Sequence, residues 1–249
     1  FTEDHAFVTG QRTVEITEDI LPERSVNAAM NLNHILALGS SQAVLDIDMF
    51  YTYFINKIIP DYSHANKIIY ANTDGHASTR GISLNWSQEF SFPLQLTAGF
   101  TWMKASETDD AEITQKLPYA PEWSGLFNIS YNFDDLNLQL SWSSNYTGSM
   151  LLPEVYDLDE SGNPLTEPRE TLSPAFQIHN IQITKYWKNL RLYGGISNIF
   201  NSVQQTSPLS GLNDPNNQPG FSPFFDTAYS YAPLHGREVF IGLNWSLKK

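Results

Sequence analysis

The chain has 249 residues, 41% of them apolar and 13% aromatic, with 27 acidic against 14 basic residues and a formal net charge of −13. That charge argues against a nucleic-acid partner, which wants a basic face, and the absence of cysteine excludes disulfides and thiolate metal sites. Mean hydropathy is −0.32, and no run approaches the roughly 18–20 apolar residues of a membrane-spanning helix.

In chain order, the recurrent signal is a period of two, which places successive side chains on opposite faces of a sheet. Residues 26–33 set Val26, Ala28, Met30 and Leu32 against Asn27, Asn31 and Asn33, within a strand expected near 24–38. Residues 43–55 set Leu45, Ile47, Met49, Tyr51 and Tyr53 against Asp46, Asp48 and Thr52. A strand is expected at 80–90. Residues 94–103 then set Leu94, Leu96, Ala98, Phe100 and Trp102 against Gln95, Thr97, Gly99 and Thr101. Residues 121–133 carry Trp123, Phe127, Ile129, Tyr131 and Phe133 against Ser124, Asn128, Ser130 and Asn132. Residues 136–146 alternate most cleanly, Leu136, Leu138, Leu140 and Trp142 against Asn137, Gln139, Ser141 and Ser143. At 175–187 Phe176 and Ile178 change face relative to Ile181 and Ile183, for which a bulge is expected. Strands at 190–200 and 238–247 complete about nine, each roughly 9–13 residues long against a usual 5–6.

The connections are of two kinds. Residues 39–41, 91–92, 134–135 and 188–189 make tight turns; 56–76, 106–120, 149–174 and 201–235 are long, and the two kinds alternate. In an antiparallel meander this puts every long loop at one end. Alternating strands, short turns, long loops on one side and aromatics near strand ends (Trp86, Trp102, Trp123, Tyr146, Trp187, Trp245) describe an all-β, transmembrane antiparallel β-barrel. The Leu/Trp face meets lipid and the Asn/Ser/Gln face a hydrated lumen. A soluble sandwich or propeller also alternates, but long strands, one-sided loops and a nearly neutral polar face favour the barrel.

The orientation expected is the usual one, long loops extracellular and the C-terminus periplasmic. The chain begins at Phe1 without an initiator Met or signal peptide and reads as a fragment or processed piece. Residues 1–23 read as the end of an earlier extracellular loop, and 24–249 as C-terminal barrel strands. Nine strands cannot close without leaving sheet edges in lipid, so further strands are expected upstream or in a partner.

Five stretches resemble TonB-dependent outer-membrane receptors. They are "VTGQRTVEITEDILPERSVNAAMNL" (8–32), with its Leu-Pro-Glu-x-Ser segment before a late strand, "NKIIYANTDGHASTRGISLNW" (66–86) and "LPYAPEWSGLFNISYNF" (117–133). "LYGGISNIFNS" (192–202) is similar to the penultimate-strand signature, and "YSYAPLHGREVFIGLNWSL" (229–247) to the last, opened by Gly236 and Arg237. The Asn-rich loops resemble receptors of Bacteroidetes-type bacteria. One departure is the end "WSLKK", where such barrels usually finish on an aromatic.

The resemblance implies a barrel of about 22 strands with a plugged lumen, of which this chain holds the last nine or so. It implies energised import of a scarce bulky nutrient (iron chelate, haem, cobalamin or glycan) and contact with TonB through an N-terminal region outside this chain. Outer-membrane lipid, a small-molecule or glycan ligand and a surface lipoprotein are the partners expected. Two other classes remain: a passive porin or adhesive barrel, and a soluble extracellular β-domain that binds carbohydrate.

For ligand contacts, "FSPFFDTAYSY" (221–231) puts Phe221, Phe224, Phe225, Tyr229 and Tyr231 into the longest loop, and "DYSHANKIIY" (61–70) supplies Tyr62, His64 and Tyr70. The bland alternative is that these aromatics fold the loops on themselves. Asp157, Asp159, Ser161 and Gly162 match the start of a calcium loop. Pro168 stands where such a loop ends on Glu, so a surface turn is the simpler reading and structural calcium the sharper one. The other histidines (His5, His34, His76, His179, His235) show no ligand spacing. No Gly-x-Ser-x-Gly, phosphate loop or cysteine nucleophile is present, so no catalytic set stands out and the protein is not expected to be an enzyme. No cofactor is required by the sequence.

Overall fold

The computed structural model describes residues 13–16, 18–62, 67–158, 164–206 and 229–246. In chain order its strands are β1 (Thr13–Ile16), β2 (Arg24–Leu38), β3 (Ser41–Ile55), β4 (Ile58–Asp61), β5 (Lys67–Asn72), β6 (His76–Glu89), β7 (Leu94–Thr108) and β8 (Thr114–Lys116). They continue as β9 (Trp123–Phe133), β10 (Leu138–Thr147), β11 (Tyr156–Leu158), β12 (Pro164–Pro168), β13 (Phe176–Trp187), β14 (Leu190–Ser197) and β15 (Glu238–Trp245). Nine of these make one antiparallel meander in the order β15-β14-β13-β10-β9-β7-β6-β3-β2. Those nine are the strands that the alternation picked out.

The tight turns use residues that tolerate a left-handed backbone. Gly39 turns β2 into β3 at φ 65°, and Asn137 closes a single 3-10 turn at Asp134–Leu136 at φ 44°. Only Gly, and more rarely Asn or Asp, takes that conformation cheaply. The long connections instead build small structures of their own. β5 pairs antiparallel with β4 and parallel with β1, and Lys67 bridges to Glu15 at 2.9 Å. β8 extends the edge of β7, and β11 pairs with β12. This parallel pairing and these short strands carry no strong alternation and were not anticipated.

The cross-strand register fixes both faces. Ser141 lies between Ser130 and Gln182, and Ser143 between Asn128 and Asn180. Leu140 lies between Tyr131 and Ile183. On the polar face, Asn27 donates to Thr52 at 2.9 Å, Asn31 to Asp48 at 2.6 Å and Asn33 to Asp46. Those amides solvate carboxylates that would otherwise stand bare.

Among the described residues no second sheet or helix layer covers the apolar face. Met30 is 65% exposed, and Val239 and Ile241 are each 80% exposed. The hydrophobic core of the described residues lies at the long-loop end: Met150, Leu152, Val155, Tyr229 and Tyr231. A sandwich buries the apolar faces of two sheets against each other; this sheet keeps its apolar face outward, as a surface facing lipid requires. Among the described residues both terminal strands, β2 and β15, are left as open edges.

The bulge expected near 176–178 is absent. β10 and β13 keep one unbroken register from Thr147↔Phe176 to Leu138↔Lys185. Phe176 and Ile178 therefore point to the inner face. Phe176 packs against the long-loop core, so the inner face itself turns apolar where the loops cover it.

Candidate functional site

The polar face carries a hollow of about 480 Å³, lined by Gln95, Thr97, Asn128, Ser130, Ser141, Ser143, Asn180 and Gln182 among others. Small uncharged hydroxyls and amides present both donors and acceptors, which suits hydrated, sugar-like or chelate surfaces better than a fixed charge. Large residues on this face lie over glycines of the next strand. A Cβ at Gly195 would lie 2.7 Å from the Phe240 ring, one at Gly242 2.3 Å from Tyr193, and one at Gly81 2.5 Å from Phe50. Each glycine leaves room for the neighbouring aromatic ring, and one of those rings, Phe240, lines the hollow.

Above it, the long connections fold together. Tyr229 is 2% exposed; its hydroxyl donates to the Glu170 carbonyl at 2.8 Å, and the Arg169 guanidinium lies 4.9 Å from its ring. Tyr231 meets Tyr229 edge to face at 5.8 Å, and Tyr62 packs on the same core, 6.5 Å from Tyr119. Gln204 ties the turn: its amide donates to the Tyr229 carbonyl, while its oxygen accepts from the backbone N–H groups of Tyr231 and Ala232. A hollow of about 370 Å³ beside this core is lined by Trp123, Tyr146, Phe176, Gln177, Gln204 and Tyr231, among others.

The two C-terminal sequence signatures turn out to be contact partners. The Asn198 amide reaches the carbonyls of Ser202 and His235, and its oxygen accepts from the Ser202 N–H. The Asn201 oxygen accepts from the Arg237 N–H at 3.0 Å, and a Cβ on Gly236 would stand 2.3 Å from that oxygen. The Arg237 side chain returns to the Ile199 carbonyl at 2.9 Å. Together these bonds staple the two ends of the 198–237 connection.

Of the residues singled out for ligand contact, Tyr62, Tyr229 and Tyr231 meet in the loop core. Tyr70 lies apart, buried in the β1-β5-β4 sheet, and burial pushes its phenol upward from 10.0. His64, Phe221, Phe224 and Phe225 lie outside the described residues. So do Asp159 and Ser161; Asp157 is on β11, with its side chain outside the description. The pairs Tyr156↔Pro168 and Leu158↔Pro164 join β11 to β12. Among the described residues no three His, Asp or Glu side chains converge as a metal site.

The sequence reading overlooked Gln204, which no local pattern marks, and weighed His179 only as a metal ligand. His179 sits at an outward position of β13 but is only 7% exposed, with Ser144, Trp142, Tyr146 and Phe200 around it. A polar residue at an apolar-face position, opposite a serine on the next strand, was the available signal.

An apolar-outside, polar-inside meander with its loops gathered at one end defines the class: part of a membrane β-barrel. The sequence matches the family described as "TonB dependent receptor-like, beta-barrel" over residues 6–199, and the chain belongs to that family.

Solved structures agree in fold. The FrpB iron transporter from Neisseria meningitidis superposes with a TM-score of 0.58 at 16% identity, over 94% of this chain and 33% of that one. The ferric enterobactin receptor PfeA from Pseudomonas aeruginosa gives 0.63 at 19% identity, over 90% and 31%. The pyoverdine outer membrane receptor FpvA from Pseudomonas aeruginosa, bound to pyoverdine, gives 0.62 at 15%, over 96% and 32%. This chain thus spans about a third of each. No curated protein gives a match to the chain.

Proposed function

We propose that the chain is the C-terminal part of an outer-membrane importer that takes up a scarce, bulky nutrient with energy relayed through TonB. The observation that supports this best is its match to one third of each of several solved receptors over nearly all of its own length. Among the described residues both sheet edges are open, so the remaining strands of a closed barrel would pair with β2 and β15. In this reading the long-loop end is extracellular and the short turns are periplasmic.

The ligand would be an iron chelate, haem, cobalamin or a glycan. It would first meet the long loops, where Phe221, Phe224, Phe225 and His64 contribute contacts and the Tyr62–Tyr229–Tyr231 core holds the loops in place. It would then pass the hydroxyl- and amide-lined wall. These groups offer binding and solvation, in keeping with a family of receptors and transporters.

The test is whole-cell uptake of labelled ferric siderophores, haemin, cyanocobalamin and oligosaccharides, in cells with and without TonB. Uptake of one class that needs both this protein and TonB is the expected result. TonB-independent leakage of many small solutes would support a porin instead.

A further inference from the structure

The hollow on the polar face is built from two cross-strand rows. In the first, Gln95, Ser130, Ser141 and Gln182 stand side by side on β7, β9, β10 and β13. In the second, Thr97, Asn128, Ser143 and Asn180 stand on the same strands, one inward position nearer the long loops. All of them line the hollow. Neighbouring strands lie about 4.8 Å apart, close to the length of one sugar ring. Each row therefore presents a fresh amide or hydroxyl to every ring of a chain laid across the strands. These groups donate and accept, as sugar hydroxyls do.

The ends of the rows suit the same occupant. The first runs on through Gly195 to Phe240, whose ring takes the space that a Cβ at Gly195 would need. An aromatic face beside amides packs the apolar C–H face of a sugar ring while the hydroxyls bond at its rim. At the other end Gln95 stands opposite Glu89; across the hollow its lining residue Ser197 stands opposite Glu238. Both glutamates are exposed. A carboxylate accepts from pairs of hydroxyls and repels anions. Charge is sorted by face over the whole meander: Asp46, Asp48, Glu89, Glu107 and Glu238 stand inward, whereas Arg24, Arg80, Lys104 and Lys185 stand outward. Arg191 is the inward exception, and its guanidinium lies 5.7 Å from the Tyr193 ring.

We propose that this hollow binds an uncharged oligosaccharide lying across β7, β9, β10 and β13, and that this is the class of nutrient the passage admits. Anionic ferric chelates and haem would meet like charge on this wall. A compact macrocycle such as cobalamin does not follow a row that crosses strand after strand. The inference rests on the reading above of this face as the wall of an import passage, and narrows its ligand to one class.

The test uses the full-length protein purified from its own membrane, titrated calorimetrically with neutral gluco-, manno-, xylo- and galacto-hexasaccharides, with haemin and with a ferric tris-catecholate. Saturable binding of a hexasaccharide, and of neither anion, is expected. Gln95→Leu and Asn128→Leu should each weaken it about three- to tenfold. Phe240→Ala should weaken it as well and Phe240→Tyr should keep it; should Phe240→Ala fail to fold, the Gln95 and Asn128 variants give the reading. Three results overturn the proposal: no hexasaccharide bound, haemin or the catecholate bound instead, or hexasaccharide binding that these variants leave unchanged. TonB-dependent uptake of a ferric chelate would overturn this inference and leave the importer reading intact. A hexasaccharide that binds through these residues but enters cells without TonB would do the reverse.

Discussion

Ser144 and His179 face each other across β10 and β13 on the apolar side of the sheet, with Oγ 2.7 Å from Nδ1. Trp142 Nε1 donates to the same hydroxyl at 2.9 Å. The same indole N–H also reaches Nδ1 at 3.3 Å, so the hydroxyl, the indole and the imidazole form one hydrogen-bonded cluster. Ser144 is 2% exposed, so this hydroxyl finds no water if its partner is lost. Ser144→Ala should destabilise the barrel by about 1–2 kcal/mol by stranding the imidazole nitrogen. Unfolding titrations in lipid vesicles measure it; an unchanged midpoint would remove the pair from the stability argument.

Leu140 and Ser141 are sequence neighbours on opposite faces. Leu140→Arg should cost about 2–4 kcal/mol near the bilayer midplane, while Ser141→Arg, facing the polar hollow, should cost far less. The same titrations decide, and equal costs would contradict the assignment of faces.

Two strand glycines should respond oppositely to a methyl group. At Gly195 a Cβ would stand 2.2 Å from the Ile181 carbonyl oxygen and 2.7 Å from the Phe240 ring; at Gly125 the nearest atom is 3.5 Å away. Gly195→Ala should therefore cost about 1–3 kcal/mol by overpacking, and Gly125→Ala should be close to neutral. Thermal unfolding of the two variants side by side is the check.

Gln204 makes three bonds to the backbone around Tyr229–Ala232. Gln204→Ala should loosen the loop core locally by about 1–3 kcal/mol and leave the strands intact. Limited proteolysis should then cut within 198–237 sooner than in the parent. Unchanged cleavage would show that Tyr229 and Tyr231 hold the turn without it.

Lys116, and more weakly Lys104, hold the Glu122 carboxyl below its ordinary 4.5. A depressed carboxylate contributes stability above its unfolded pKa and loses it as pH falls through the folded value. The Lys116–Glu122 contact should thus persist at neutral pH and dissolve only below the usual carboxylate range. A carboxyl NMR titration should show the Glu122 midpoint rising towards 4.5 in Lys116→Ala; no rise would remove Lys116 as the cause.

The nine strands were legible because lipid on one side and water on the other impose a period of two on every residue between them. The rule fails where that two-solvent condition ends. At Phe176 and Ile178 the inner face meets folded loops instead of water, so an unbroken register looked like a bulge. β1, β4, β5, β8, β11 and β12 are too short for a periodic signal. Aromatic content marked Tyr229 and Tyr231, but the sequence does not encode the contacts with Met150, Leu152 and Val155 that bury them. The Asn198–Asn201 and Gly236–Arg237 segments were visible as separate signatures, and their mutual bonds appear only once the chain is folded.

The most direct test is a cysteine scan of β10 from position 138 to 146 in intact membranes, where residues 1–249 contribute no cysteine of their own. A water-soluble thiol reagent should label 139, 141 and 143 and spare 138, 140 and 142, which a lipid-soluble reagent should reach instead. Uniform labelling, or water-soluble labelling of the Leu/Trp positions, would contradict a barrel wall with lipid on one side and a hydrated passage on the other.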